Sequence, residues 1–466
     1  MTVPAWVQDA VFYQIFPDRF ANGNTHNDPA NVQPWGAPPT LWGFQGGDLQ
    51  GVIQHFDYLR DLGVNALYFN PIFQATSNHR YNTMDYYRVD PKLGSLEDFR
   101  TLLDTAHGYG FKVILDGVFN HCGRGFFAFN DVMENREHSP YLDWFHINGL
   151  PLDAYEEGQA ERYLAWWNLK SLPKFNTTNP EVRTYLLDVA RYWIEQGIDG
   201  WRLDVPNEID DDSFWAEFRE AVKDLNPQAY LVGEIWTADP RWVGPEHFDG
   251  LMLYPLRKAL LDLLVERALT PSEFVSKVEA LRAVFPPEYN TSHLLLAGSH
   301  DTPRIGTLTG DSQVTWLVFF LLFGFPGAPV IFYGDETGLQ GGADPECRRA
   351  FAWDPDQWDQ TLRRRLKSLI DLRLRYATLR QGSYQFCAHD DETGLVLSMR
   401  QTNEQVIWQV ANTTPRPQLY RLPLHEWGLS TQSQVQALLT ERSIPVQEGT
   451  VQISLEGYGG EFLLQA

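Results

Sequence analysis

Gly200-Trp201-Arg202-Leu203-Asp204 is an apolar run that delivers an arginine and an aspartate two residues apart, just before a break in the pattern. On a β-strand, side chains two apart share a face, so Arg202 and Asp204 look into one space while Leu203 looks away. A fixed cation keeps a neighbouring carboxylate ionised, which a nucleophilic aspartate at a strand end requires. Two more acids end similar runs: Glu234 follows Tyr230-Leu231-Val232-Gly233, and Asp301 follows Leu294-Leu295-Leu296-Ala297-Gly298-Ser299-His300. The intervals are about 30 and about 67 residues, close to one and two strand-plus-helix units of an eight-unit barrel of roughly 250 residues. A lone Arg-x-Asp would read as a structural ion pair, and lone acids as helix caps. Three acids in register at the C-terminal ends of barrel strands converge on one pocket.

Working outward, apolar runs closed by polar or Gly/Pro punctuation recur at Val11 to Phe16, Ala66 to Phe69, Lys112 to Leu115, Gly200 to Leu203, Tyr230 to Val232, Gly250 to Leu253, Leu294 to Leu296 and Val330 to Tyr333. Helical periodicity fills most of the gaps, as in Glu97 to Tyr109, Pro180 to Gln196, Ser213 to Leu225 and Thr315 to Phe323. Alternating strand and helix predicts an α/β protein with a parallel sheet, and eight units close it into a (β/α)8 barrel. One interval breaks the rhythm, since Asp116 to Asp204 spans about 88 residues where neighbouring strands need roughly 31. An inserted domain over 120–176 accounts for the excess. Beyond about residue 380 the period becomes two, with Val406, Trp408 and Val410 on one face and Ile407, Gln409 and Ala411 on the other, which predicts a C-terminal antiparallel β-sandwich. The expected domains are a barrel over 1–119 and 177–378, the insertion over 120–176 and the sandwich over 379–466.

A net charge of −23 disfavours nucleic acid and anionic membrane surfaces as partners and suits a neutral substrate. The three cysteines, Cys122, Cys347 and Cys387, leave one unpaired in any disulfide scheme and lack metal-ligand spacing, so a reducing, cytoplasmic setting is expected. Met1 to Trp6 has neither a basic nor a long apolar region, and reads as no signal peptide. The uncharged run Val314 to Gly334 is split by Gly324, Pro326, Gly327 and Pro329 into a helix, a turn and a buried strand, which argues against a membrane span. Sixteen tryptophans and twenty tyrosines offer faces on which sugar rings stack, although most are expected in the core.

Four blocks in order, Asp116-Gly117-Val118-Phe119-Asn120-His121, Gly200 to Glu208, Gly233-Glu234-Ile235-Trp236 and Gly298-Ser299-His300-Asp301-Thr302, make the chain resemble the α-amylase superfamily of glycoside hydrolases over nearly its whole length. The resemblance implies a barrel with a domain inserted after strand three and a C-terminal sandwich, in agreement with the spacing. It implies that Asp204 is the nucleophile, Glu234 the general acid and base, and Asp301 the carboxylate that fixes the sugar hydroxyls. It gives sugar contacts to His121, His300 and Trp236, a stacking platform to Tyr81, and the holding of the nucleophile to Arg202. Leu172-Pro173-Lys174-Phe175-Asn176 and Val205-Pro206-Asn207-Glu208 are similar to the marks of the neopullulanase, cyclomaltodextrinase and maltogenic amylase branch, which makes Glu208 a further substrate contact. Asp344 and Arg348 match residues that this branch uses on the non-reducing side of the cleaved bond; four apart, they would otherwise read as a helix ion pair.

Many members of the branch begin with an extra β-domain that contributes to dimers, whereas here the first strand starts within about ten residues of Met1, so that route to dimerisation is expected to be absent and the oligomeric state is left open. Asn22, Asn24, Asn27, Asp28 and Asp48 side chains with the Gly46 carbonyl are similar to the branch's calcium loop, and hard cations take such oxygens, so a structural Ca2+ is expected; an Asx-rich turn without metal is the plainer alternative. The resemblance implies hydrolysis of α-1,4 glucosidic bonds in cyclodextrins, pullulan and short maltooligosaccharides, with α-1,6 cleavage and transglycosylation as secondary activities to be expected of the branch. A glucosyltransferase or isomerase of the same superfamily is the alternative. A non-catalytic relative that partners a membrane protein is disfavoured because all three acids are present. The aromatics Trp144, Phe145, Trp166 and Trp167 of the insertion are expected to narrow one wall of the pocket, with Asp344 and Arg348 closing the opposite end.

Overall fold

The computed structural model describes residues 3–428 and 434–465; the expected barrel and sandwich ranges also take in 1–2, 429–433 and 466, which lie outside the described residues. Eight parallel strands form the barrel: β1 (Phe12–Ile15), β2 (Ala66–Phe69), β3 (Lys112–Gly117), β4 (Gly200–Leu203), β5 (Tyr230–Gly233), β6 (Gly250–Leu251), β7 (Leu294–Leu296) and β8 (Ala328–Phe332). They pair in the order β6-β5-β4-β3-β2-β1-β8-β7, and a parallel bridge between Met252 and Leu294 closes the ring. The eight expected strands are all present, with ends displaced by at most two residues. β4 and β5 approach so closely that a Cβ on residue 200 would lie 2.1 Å from the Tyr230 carbonyl oxygen, which is why glycine opens the deciding stretch.

Period two sorts each strand into an inner and an outer row. Phe12, Ala66, Tyr68, Ile114, Tyr230, Val232, Leu294, Leu296, Ala328 and Val330 fill the interior as one apolar cluster. Tyr13, Leu67, Val113, Trp201, Leu231 and Ile331 face outward against the helices. Two residues beyond the apolar inner row the same inward positions turn polar, as Gln14, Asn70, Asp116, Arg202 and Glu234, all buried. The barrel thus carries a dry floor with a charged layer directly above it, at the C-terminal ends of the strands.

The helices Leu96–Gly108, Pro180–Glu195, Asp212–Leu225 and Ser312–Gly324 match the expected ones to within a few residues. Pro180–Glu195 starts on Asn179, whose side chain accepts from Glu181 N and Val182 N, with proline at the first helical position. The uncharged run resolves into the helix Ser312–Gly324 and β8, and among the described residues no helix is long and apolar enough to cross a membrane. Residues 120–176 contain the helix Phe127–Asn135, short 3-10 turns and isolated bridges such as His121 with Lys174 and Ala165 with Pro173.

At the C-terminal end, eight strands from Ser383–Asp390 to Gly460–Gln465 form an antiparallel sheet that folds over a core of Leu397, Trp408, Tyr420, Ile453 and Leu463. Val406–Asn412 is buried on both faces: Val406, Trp408 and Val410 enter that core, while Ile407 and Ala411 join the barrel's outer core and Gln409 Nε2 donates to the Phe320 carbonyl at 2.6 Å. The two domains are further joined by Arg400 Nη1, which donates to the Gly324 carbonyl at 3.2 Å.

Candidate active site

The strand ladder sets the acids side by side. Asp116 and Arg202 are register partners between β3 and β4. Asp204 N then donates to Gly117 O, and Glu234 N to Leu203 O, each at 3.0 Å, so both acids leave the barrel at the same level. Arg202 is fully buried beneath them. Its Nη1 donates to Asp116 Oδ1 at 2.7 Å and to Asp204 Oδ1 at 3.0 Å, and its Nη2 lies 2.9 Å from Glu234 Oε2. The last contact is an ion pair without hydrogen-bond alignment, since Arg202 Nη2 has no aligned partner. The expectation that Arg202 and Asp204 share a face and a bond is met, and the same guanidinium touches two more carboxylates.

Burial raises the pKa of both acids. Glu234 is pushed up to about 7, first by desolvation and then by Asp301 and Asp116, against the pull of Arg202. Asp204 is raised well above its usual value by the same desolvation, with Arg202 the largest opposing influence. Arg202 makes its aligned bond to Asp204 and only an unaligned contact to Glu234, which favours the anion on Asp204 over Glu234. Trp236 Nε1 donates to Glu234 Oε1 at 3.2 Å, and Val205 N to Glu234 Oε2 at 3.1 Å. Val205 reaches that position with φ 35 and ψ 51, a left-handed conformation that a β-branched residue adopts only under strain.

Asp301 is the most exposed of the three acids. Arg348 Nη2 donates to its Oδ1 at 3.2 Å, and His300 Nε2 lies 3.0 Å from its Oδ2. Arg348 also pairs with Asp344 at 3.2 Å and donates from Nε to the His300 carbonyl at 2.9 Å. The Asp344 and Arg348 pair is therefore no helix-surface bridge: it sits around a 3-10 turn and grips the Asp301 loop. His300 is wholly buried, and desolvation with the charge of Arg348 holds its pKa well below the usual value. Gln14 Nε2 and Asn70 Nδ2 both approach its Nδ1, at 2.9 and 3.1 Å, so Nδ1 accepts and the proton sits on Nε2, toward Tyr81 and Asp301. Tyr81 stacks on the His300 ring at 5.5 Å, receives Nε2 at 2.6 Å and donates its hydroxyl to Asp116 Oδ2 at 2.8 Å.

His121 is neutral, its pKa brought down to about 3 by burial, and its Nε2 has no partner. Its ring stacks under Trp166 at 5.6 Å. Trp236 is half exposed and stacks on Tyr254 at 3.9 Å, forming a rim beside Glu234. Glu208 joins less closely: its carbonyl accepts from Lys174 Nζ, while its carboxylate makes no bond to the acids. Trp144 and Phe145 do not narrow the pocket as expected. Both are buried inside the insertion, where Trp144 Nε1 donates to Glu181 and Phe145 packs on Phe129 and Phe175. Sequence reasoning put Asp116, Asn70, Gln14 and Val205 outside the candidate residues. The signal for the first three was their place two residues beyond inward apolar ones, at Ile114, Tyr68 and Phe12.

The six residues of the expected metal loop come together. Asp48 Oδ1 accepts from Gly23 N and Gly51 N and its Oδ2 from Asn24 N and Asn27 Nδ2, so it also caps the helix Leu49–Gln54. Asn22 Nδ2 donates to Asp28 Oδ1 at 2.9 Å. The amide oxygens of Asn22 and Asn27 are buried without partners, and Gly46, at φ 83, leaves open a space in which a Cβ would lie 2.4 Å from Asp28 Oδ1. The orphaned amide oxygens beside Asp28 offer hard donors of the kind a divalent cation such as Ca2+ takes, whereas Asp48 already accepts two hydrogen bonds on each oxygen. Asn24 fits less well, because its side-chain oxygen accepts from His26 N.

The family model of the alpha-amylase catalytic domain matches residues 14–369. A cyclomaltodextrinase of Geobacillus thermopakistaniensis (strain MAS1) is 42% identical over 99% of this chain and 78% of its own length. Neopullulanase 2 of Thermoactinomyces vulgaris is 40% identical over 99% of this chain and 78% of its own. Among solved structures, the cyclic α-maltosyl-(1→6)-maltose hydrolase of Arthrobacter globiformis, in complex with that sugar, superposes with a TM-score of 0.92 at 38% identity, covering 100% of both chains.

If Glu234 must carry a proton to act, kcat/KM falls as pH rises through about 7, by roughly tenfold per pH unit thereafter. Trp236 Nε1 donates to Glu234 Oε1, and a donor to the carboxylate holds its pKa down, so Trp236→Phe, which keeps an aromatic ring over Tyr254 and removes that donor, moves the falling limb to higher pH. A pH-rate profile with an alkaline limb near 9 in the parent enzyme, or an unmoved limb in the variant, would contradict this assignment.

Proposed function

The chain belongs to the alpha-amylase family of glycoside hydrolases, and we propose that it is a retaining hydrolase of α-1,4 glucosidic bonds in cyclodextrins, pullulan and short maltooligosaccharides. The observation that carries the reading is the shared guanidinium. Carboxylate oxygens of Asp204 and Glu234 lie 3.0 and 2.9 Å from the two terminal nitrogens of Arg202. Both carboxylates are thereby held on one cation at the mouth of the barrel, where a nucleophile and an acid must meet the same anomeric carbon, and the retaining outcome is taken from the family's two-carboxylate chemistry.

In this mechanism Glu234 donates its proton to the leaving oxygen while Asp204, ionised beside Arg202, attacks the anomeric carbon. Glu234, now a carboxylate, then takes a proton from water as that water opens the glycosyl ester. Asp301, held from both sides by Arg348 and His300, presents its carboxylate to the sugar hydroxyls and to the positive charge that develops on the ring. Neutral His121 and the Tyr81 ring supply a hydrogen bond and a stacking face at the same sugar. Passing the intermediate to a sugar hydroxyl instead of water gives transglycosylation from the same site. The Asp344 and Arg348 pair closes the end of the pocket beside Asp301, which favours small substrates over a long polymer. Supporting this substrate class are the names of the relatives, a cyclomaltodextrinase and a neopullulanase, and the cyclic sugar bound by the Arthrobacter enzyme.

A Ca2+ held by Asn22, Asn24, Asn27, Asp28, Asp48 and the Gly46 carbonyl would be structural, because none of these residues reaches the acids. Three free cysteines, two of them buried, accord with a cytoplasmic setting.

With cyclodextrins or maltotriose-sized chains, kcat/KM should exceed that on soluble starch by at least about tenfold, equivalent to roughly 1.4 kcal/mol in the transition state. Equal rates on starch, with early loss of iodine colour, would indicate an open endo-acting groove. In Glu234→Gln given an activated fluorosugar, mass spectrometry should place the covalent adduct on Asp204; an adduct on Asp301, or inversion at the anomeric carbon, refutes the roles. Chelation should lower the melting temperature while sparing activity in the cold, and a calcium-free protein with an unchanged melting curve removes the site.

A further inference from the structure

His121, Trp166 and Trp167 form a continuous stack that leads out of the pocket. Trp166 covers the His121 ring at 5.6 Å and 24°, and Trp167 covers Trp166 at 4.4 Å and 8°. The outermost ring is 74% exposed, and Leu164 and Leu169 beside it are each 45% exposed. Other aromatics of the same inserted segment, Trp144, Phe145 and Tyr163, turn inward and are buried.

Holding Trp167 outward has a conformational cost. Its backbone stands at φ 50 and ψ 26, and the next residue, Asn168, at φ 58. Asparagine tolerates the left-handed region through local hydrogen bonds, whereas tryptophan gains nothing there. Strain of this kind persists where the surroundings enforce it, and it clusters at functional sites. The enforcement is visible: Trp166 N donates to Leu172 O, Asn168 N to Ala165 O, Leu169 N to Trp166 O and Leu172 N to Leu169 O, all at 2.9 to 3.0 Å. The turn is therefore fixed before any ligand arrives. Trp166 Nε1, buried and without a partner, adds an unused donor beside the same stack.

We propose that the outer face of Trp167 is a binding platform for a glucosyl residue of the substrate chain outside the pocket of the three acids. A flat, uncharged indole face offered to solvent matches the apolar C–H face of a pyranose, and the stack makes it continuous with the ring that lines the point of cleavage. A substrate long or round enough to reach past the pocket gains this contact, whereas one that only fills the pocket does not. The inference rests on the α-glucan reading above.

The test compares the parent enzyme with Trp167→Ala and Trp167→Phe on maltotriose, maltoheptaose and β-cyclodextrin, with melting temperatures alongside. Expected for Trp167→Ala is a rise of about tenfold in KM for maltoheptaose and β-cyclodextrin, with kcat and the maltotriose constants within about twofold and the melting temperature within a few degrees. Trp167→Phe keeps an aromatic face and should recover most of the loss. If the parent enzyme cleaves none of these glucans, the α-glucan reading itself fails. If it cleaves them and Trp167→Ala leaves every KM unchanged, the platform is overturned. An equal loss on maltotriose would make Trp167 a buttress for Trp166 and His121, and loss of self-association in Trp167→Ala with unchanged KM would make the exposed face a contact between copies; either overturns the proposal.

Discussion

A single buried guanidinium holds the site together. Arg202 has no access to solvent and lies within 3.0 Å of three carboxylates, on Asp116, Asp204 and Glu234. Desolvating three carboxylates in one cavity would drive all of them to protonate, and desolvating one arginine alone would be as unfavourable. The one cation offsets part of the cost of burying the carboxylates it touches. The arrangement depends on strand register, because Asp116 and Arg202 are partners across β3 and β4 and the ladder continues one residue past each strand to carry Asp204 and Glu234. A slip of one residue would turn Arg202 outward and bring Trp201 or Leu203 into the pocket.

Asp204 and Glu234 are chemically alike carboxyl groups made different by their neighbours. Asp204 takes an aligned bond from Arg202; Glu234 takes an unaligned ion pair, a weak indole donor and one backbone N–H. That N–H comes from Val205, forced into a left-handed turn immediately after Asp204, so conformational strain is placed beside the Glu234 carboxyl. The histidines follow the same logic in reverse. Burial keeps His121 and His300 neutral, which preserves them as hydrogen-bonding groups and adds no cation to compete with Arg202 for the acids.

Most of this fold was legible because a barrel strand is buried on both faces and so appears as a short apolar run with sharp ends. The three acids stood out for the same reason, each closing such a run. Asp116, Asn70 and Gln14 were harder to see, since a lone polar residue after an apolar run also serves as ordinary punctuation; only counting two positions on from Ile114, Tyr68 and Phe12 separates an inward polar layer from a strand end. The strain at Val205 left no trace, because valine in a strand context reads as more strand. In the insertion, composition could not tell the inward Trp144 and Phe145 from the outward Trp167, because their burial is decided by contacts with Phe129, Phe175 and Glu181 from distant positions. Arg348 was read with Asp344 as a substrate contact, with a helix ion pair as the alternative, and its grip on Asp301 and on the His300 carbonyl depends on a turn that spacing does not encode.

The loop after β1 connects to the same network through buried polar groups. Asp18 accepts from Gln45 N and Gly46 N, and so holds the backbone on which the Gly46 carbonyl sits. Arg19 Nε pairs with Asp18, its Nη2 donates to the Gly43 carbonyl at 2.8 Å and its Nη1 to the Arg348 carbonyl at 2.6 Å. Arg348 in turn holds Asp301. A path of hydrogen bonds therefore runs from the candidate cation loop to the third acid, although no residue of that loop enters the pocket. The path carries position and no charge transfer: the Arg348 contact is through its carbonyl, and the link is made by the Asp18 and Arg19 side chains themselves, so it stands whether or not a cation occupies the loop. Asp18 and Arg19 are almost completely buried, so this link is as rigid as the barrel rim itself. The physical consequence is a division of labour within one rim, in which the Asp18 and Arg19 link braces the Asp301 arm and Arg202 balances the charge of the Asp204 and Glu234 pair.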